Sequence, residues 1–275
     1  MRVECEICPH HCNIEEGQLG LCRGRRNVEG QIVCDNYGKI TGMALDPIEK
    51  KPLYHFHPGS KFLSVGSYGC NLSCAFCQNS DISMAGSSDI ETSTISCEEL
   101  VNKALYYKGV GNIGIAYTYN EPLISYEYIR DCSKLANEKG LKNVIVTNGY
   151  ICEEPLKKLL PNIDAMNIDL KGFTEQYYHK LGGDLESVKR TIELAASSVH
   201  VEVTTLIVPG ENESEEEMKE LSTWLSKIRP DIPLHISRFF PRWKMRDKEA
   251  TPVDLVYHLA EIARDHLMYV YEGNC

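Results

Sequence analysis

A chain of 275 residues, 43% hydrophobic and 25% charged, has ordinary globular composition and enough apolar sequence for one large domain with a small appendage. Its net charge of −10 argues against a nucleic-acid partner, which needs clustered Lys and Arg to release counterions. The nearest basic groups, Arg23, Arg25 and Arg26 and then Arg238 to Arg246, are too sparse. The N-terminus MRVECEIC lacks the apolar centre of a secretory signal, and no stretch approaches the apolar run that spans a bilayer. The expectation is a cytoplasmic protein with no membrane partner, in which twelve cysteines are not a disulfide framework.

Residues 1–60 are rich in Cys, Gly, Pro and His, with only short strand-like runs such as Gln31–Cys34. A segment so poor in core residues is expected to form a small Cys-rich N-terminal domain stapled by metal. From Lys61 the pattern changes. Short apolar runs at Phe62–Val65, Ile113–Ala116, Val144–Thr147, Ala165–Ile168, Val201–Val208 and Leu234–Ile236 read as buried parallel strands. Amphipathic stretches alternate with them: Cys97–Tyr107, Ser125–Lys139, Glu153–Leu160, Leu185–Ala196, Ser214–Ile228 and Pro252–His266. Six strand–helix repeats predict an α/β fold over residues 61–275, a partial (β/α)6 barrel. The roughly 215 residues remaining are short of the usual length of a full eight-repeat barrel. Functional residues are then expected at the C-terminal ends of the strands.

The first apolar strand runs into Gly66-Ser-Tyr-Gly-Cys70-Asn-Leu-Ser-Cys74-Ala-Phe-Cys77-Gln-Asn79. Gly66 and Gly69 permit a tight turn, and three thiols then project from one short loop. Iron–sulfur cubes normally take four thiolates, so three local cysteines would leave one iron with an open position. On spacing alone, a zinc site with a distant fourth ligand is the alternative. CxxxCxxC with an aromatic before the last cysteine resembles the radical S-adenosylmethionine (SAM) superfamily. That resemblance implies a 4Fe-4S cluster on Cys70, Cys74 and Cys77 whose open iron chelates SAM. An electron from the cluster would then break a C–S bond to give methionine and a 5′-deoxyadenosyl radical. It also implies cofactor contacts from Tyr68, Phe76, Gln78 and Asn79.

Later strand ends extend the resemblance. Ala116-Tyr-Thr-Tyr119-Asn120-Glu121-Pro122 resembles the Gly-Gly-Glu-Pro segment that binds the SAM amino group, with Tyr119 and Asn120 in place of the glycines. Glu121 would accept from the ammonium. Thr147-Asn148-Gly149 and Asn167-Ile-Asp169-Leu-Lys171 resemble the Thr-Asn-Gly and Asp-Leu-Lys of glycyl-radical-enzyme activases. In them Asp169 would help a monovalent cation meet the SAM carboxylate, and Lys171 would touch substrate or SAM. The acid expected before Thr147 is Val146, which departs from a cation site. His235, in PLHISRFFPRWKM, resembles a SAM-contacting histidine. Together CPHHC, YGKITGMALDPIEKKPLYHFHPG, YGCNLSCAFCQN, YTYNEP and SRFFPRWKM resemble the AmmeMemoRadiSam-system radical SAM enzymes, relatives of the pyruvate formate-lyase activating enzyme. Members of that family usually continue past Gly273-Asn274 into a tail with further cysteines, whereas this sequence stops at Cys275.

Cys5, Cys8, Cys12 and Cys22 supply four thiols within a short segment. Four ligands without a vacancy suit a structural zinc, and an auxiliary iron–sulfur cluster is the other reading. His10 and His11 are alternative ligands. The expected function is reductive SAM cleavage and hydrogen abstraction from a substrate, in the resemblance a glycyl residue of a partner protein. Another peptide or a small molecule is the alternative, and an external reductant such as flavodoxin or ferredoxin is implied. An iron–sulfur electron carrier or scaffold is the rival class; it would account for the cysteines but not for Glu121, Thr147 and Asp169 at successive strand ends.

Overall fold

The computed structural model describes residues 1–275. At its centre, eight strands lie side by side in chain order. They are β1 (Gly42–Pro47), β2 (Lys61–Gly66), β3 (Asn112–Tyr117), β4 (Lys142–Thr147), β5 (Ala165–Asp169), β6 (His200–Ile207), β7 (Leu234–Arg238) and β8 (Val270–Gly273). β1 pairs with β2 antiparallel, and every other neighbouring pair is parallel. Besides a single helical turn at Ser80–Ser83, seven longer helices accompany the strands: α1 (Cys97–Tyr106), α2 (Tyr126–Glu138), α3 (Glu153–Leu159), α4 (Glu175–Leu181), α5 (Leu185–Ala196), α6 (Glu215–Ile228) and α7 (Val253–Arg264). Ser96, Asp184 and Ser214 cap α1, α5 and α6 by accepting from the third amide of each helix. No helix is long and apolar enough to cross a membrane.

The six strands and six helices expected from periodicity are present, their ends moved by two residues at most. Three elements are additional. β1 carries Gly42 and Pro47 in an edge position, where a missing amide is tolerated. β8 buries only Val270, so it had no apolar run to announce it. α4 is a short helix started by the Thr174 hydroxyl that buries Tyr177, Tyr178 and Leu181. β1 also lies inside the expected N-terminal region 1–60, yet it joins the main sheet along its whole length. The Cys-rich part is built instead from two hairpins ahead of it, Arg2–Glu4 with Asn13–Glu15 and Arg25–Val28 with Gln31–Cys34.

Strand order decides where the helices go. Right-handed crossovers between successive neighbours place all helices on one face. Leu63, Val65, Ile115, Tyr117, Ile145, Met166, Ile168 and Val203 point into that helical layer and belong to the large core. Alternate residues point the other way. Phe62, Ala116, Val144 and Ala165 form a small second core with Ile48 and Leu53, with Phe56 packed against it. The inner face is therefore plugged by the segment between β1 and β2 rather than by a helix. Above this apolar floor the plug is tied polar to polar. Asn167 donates to the Pro52 carbonyl at 2.8 Å, and Glu202 accepts from the Tyr54 and His55 amides at 3.0 and 2.7 Å.

Candidate active site

The inner face stays open at the C-terminal strand ends, where a cavity of about 370 Å³ is lined by Cys70, Cys74 and Cys77 together with Thr118, Val146, Asp169, Thr204, Leu206 and Ser237. Those last six are successive inward positions of β3 to β7, or the residue just past a strand. The period-2 alternation of each strand delivers them to the same place. The cavity is of the size that takes a small ligand or cofactor.

Backbone geometry forces the cysteine loop into this mouth. Gly69 has φ +86°, and a Cβ there would stand 2.4 Å from the Cys22 carbonyl oxygen; a Cβ on Gly66 would collide with Tyr119. Asn120 then staples the loop. Its Oδ1 accepts from the Ser67 amide at 2.9 Å, while its Nδ2 donates to the carbonyls of Tyr68 and Gly69 at 3.1 and 3.0 Å. Asn120→Ala is expected to cost about 1–3 kcal/mol by leaving these buried groups unpaired. It should lower the urea midpoint and speed iron loss from loaded protein; unchanged values for both would show that the staple carries no load.

The three thiols fit an iron–sulfur cluster in their chemistry. They are free, they face one cavity, and Cys70 Sγ accepts from the Leu72 amide at 3.4 Å and from Asn148 Nδ2 at 3.6 Å. Donors of this kind stabilise a cluster thiolate. Burial pushes Cys74 up to about 11 and raises Cys70 well above an ordinary thiol. Iron binding would therefore release protons. No three His, Cys, Asp or Glu side chains close on a common point as the ligands of a single ion do.

Glu121 is buried, and burial raises its carboxyl to about 7. It accepts from Thr147 Oγ1 at 2.7 Å, the Leu123 amide at 2.9 Å and the Asn148 amide at 2.8 Å. A carboxylate has about four acceptor positions, so one remains for an incoming donor. Asp169 pairs with Lys171 at 3.0 Å, and Lys171 Nζ stands 5.9 Å from the Phe76 ring centre. Burial alone would strip the lysine of its charge, but Asp169 and Cys74 beside it hold the proton firmly. Val146 presents an apolar side chain where the cation-site acid was expected.

Phe76, Gln78, Asn79, Tyr119, Asn120, Glu121, Thr147, Asn148, Asp169 and Lys171 all line the cavity. Tyr68 and His235 do not. The Tyr68 ring is fully buried and turned away, its hydroxyl donating to Asp35 Oδ2 at 2.8 Å. His235 sits one layer below the cavity, 2.7 Å from Glu202 Oε2, because it shares the inward parity of Ser237 but lies two residues earlier on β7. Lys50 and Lys51 are cavity residues that motif reading missed. Lys51 pairs with Asp46 at 2.9 Å and lies over the Tyr119 ring, whose own φ is +74°. Their only sequence signal was membership of the KKPLYHFHPG run.

The N-terminal cysteines lie behind this mouth. Cys5, Cys8, Cys12 and Cys22 border one small cavity with His10, Arg25 and Ile124. The unit buttresses the cysteine loop: His10 Nε2 contacts the Asn71 carbonyl at 2.7 Å, and the Cys152 amide donates to the Ile7 carbonyl at 2.9 Å.

Comparison with known proteins places these observations. The family model described as the radical SAM superfamily matches residues 64–225. The chain is 41% identical over 276 aligned residues to the uncharacterized protein MJ0808 of Methanocaldococcus jannaschii, covering 99% of this chain and 81% of that one. It is 28% identical to the pyruvate formate-lyase-activating enzyme of Clostridium pasteurianum over 58% of this chain and 68% of that enzyme. Among solved structures, QueE from Escherichia coli superposes with TM-score 0.53 at 15% identity, covering 86% of this chain and 93% of QueE. SuiB of Streptococcus suis bound to S-adenosylmethionine superposes with TM-score 0.60 at 15% identity over 78% of this chain and 52% of SuiB. At that identity the two structures speak for the fold alone.

Proposed function

The chain belongs to the radical SAM superfamily, and from that premise we propose that it cleaves SAM reductively and abstracts hydrogen from a bound substrate. Cys70, Cys74 and Cys77 would hold the 4Fe-4S cluster, which supplies the electron for C–S cleavage to the 5′-deoxyadenosyl radical. The observation that carries this reading is the convergence of three free cysteines, Glu121 and the Asp169–Lys171 pair on one cavity at successive strand ends. The chain's own residues then divide the work. Glu121 offers its free acceptor position to the SAM ammonium, while Thr147 and the Asn148 amide keep the carboxylate oriented. Asn148 also holds Cys70 in place. Lys171 keeps a fixed positive charge against the cavity wall, and Asp169 sets its position.

The finer reading places the chain with the AmmeMemoRadiSam-system enzymes, as an activase-like oxidoreductase acting on a glycyl residue of a partner protein; another peptide or a small molecule is the alternative substrate. Flavodoxin or ferredoxin is the proposed reductant, and the cytoplasm the proposed location. The four N-terminal cysteines, in a unit spanning most of residues 1–60, are proposed to hold zinc or a second iron–sulfur cluster. That unit is proposed to steady the cysteine loop of the domain that follows it.

The test uses anaerobically reconstituted protein reduced with dithionite and given SAM. Formation of 5′-deoxyadenosine is expected. A loaded, reducible cluster that yields no product and binds no SAM would overturn the reading in favour of an electron carrier.

A further inference from the structure

Two cysteines outside the cavity have a geometry that radical chemistry does not use. Cys97 is the first residue of α1, a ten-residue helix, and Cys132 is buried in the middle of α2. Their sulfurs stand 3.1 Å apart although the residues are 35 apart in the chain. A disulfide bond is about 2.0 Å long, so closing it requires the sulfurs to approach by roughly 1 Å. Cys97 is half-buried and borders a surface hollow, whereas Cys132 is fully buried and does not border it. The Tyr37 hydroxyl stands 3.6 Å from Cys97 Sγ and donates to Asp131 at 2.9 Å.

We propose that Cys97 and Cys132 form a reversible redox site, in which Cys97 attacks a small neutral or cationic disulfide and Cys132 resolves the mixed disulfide. Three observations assign the roles. The start of a helix stabilises a thiolate on Cys97. The Cys132 thiol donates to Cys97 and brings it down to about 7 against burial and the charges of Asp131 and Glu98, while burial drives Cys132 far up. One partly exposed thiolate beside one buried thiol is the arrangement of an attacking and a resolving cysteine. The hollow sets the partner's charge: Glu98, Asp131 and Glu138 line it against Lys134, with Arg130 paired to Asp131, and the remaining acidic excess disfavours anionic disulfides.

The electrons balance without another reactant. The Cys97 thiolate displaces one thiolate from the small disulfide, forming a mixed disulfide. The Cys132 sulfur then displaces the second thiolate and gives up its proton to the medium. The protein loses two electrons, and the small disulfide gains them as two thiols. The product ties α1 to α2, the helices that flank β3.

The cluster-loaded protein should be exposed anaerobically to cystamine or to oxidised glutathione, quenched in acid, alkylated and digested after glutamate. A linkage of fragment 92–98 to fragment 128–138 through Cys97 and Cys132 is expected before any other disulfide, several-fold faster with cystamine. Cys132→Ser should stop the reaction at the mixed disulfide on Cys97, and Cys97→Ser should leave Cys132 unmodified. The proposal is overturned if Cys97 reacts no faster than the exposed Cys275, or if its mixed disulfide persists in the wild-type chain. Faster reaction with glutathione would overturn the assigned partner class.

Discussion

Cys74→Ala is expected to reduce 5′-deoxyadenosine formation to background while the chain still folds. Cys74 is the most enclosed of the three thiols, 7% exposed, and no fourth cysteine lines the cavity to replace it. Without it two local thiols remain, too few to hold a cube with one open iron. The substitution falls in an irregular loop, and Ala removes one sulfur from a site already open to a cavity. The cost to stability should then be small, about 1 kcal/mol. Iron per chain, product per chain and far-UV circular dichroism measured together give the answer. Product formation that persisted in a variant with native dichroism would remove the proposed function, because the mouth holds no other thiol to substitute.

The largest effect on stability is expected at Glu202. Its carboxylate is fully buried, and each oxygen receives two donors. Oε1 takes the His55 amide at 2.7 Å and His200 Nε2 at 2.9 Å; Oε2 takes the Tyr54 amide at 3.0 Å and His235 Nε2 at 2.7 Å. All four acceptor positions are filled. Burial alone would raise the carboxyl, but the donors outweigh it and bring Glu202 down from 4.5 to about 2. Such a group contributes stability above pH 4.5 and loses it as the pH falls toward about 2. The contribution is on the order of 3 kcal/mol. Glu202→Ala strands four donors and frees the plug from β6, so a loss of about 3–5 kcal/mol is expected. Glu202→Gln should also flatten the acid limb of stability against pH relative to wild type. Urea midpoints of both variants across that range provide the check, and curves parallel to wild type would show that the network is not what holds the plug.

The division between what was legible and what was not follows from the range of the interactions. Six buried strands were readable because each buries two or three apolar residues in the core, and that burial pattern is local. The cysteine loop was readable because its ligands lie within one turn of chain, and Glu121, Thr147, Asp169 and Lys171 because each directly follows or ends a readable strand. β8 was not, since a strand with one buried apolar residue owes its existence to β7 beside it. Nor was the place of His235: a motif assigns it a residue type, but only strand parity and stagger decide whether it faces the cavity or the layer beneath. The Cys97–Cys132 contact and the plug at residues 48–57 lay wholly outside a reading of local pattern. By itself, then, the sequence determined the alternation of strands and helices and the chemistry of the cysteine loop, because those depend on neighbours along the chain. The tertiary structure alone decided which residues share the cavity, that the inner face is filled by one irregular segment, and which distant cysteines meet. Each of those depends on pairs far apart in the chain, brought together by the order of strands in the sheet.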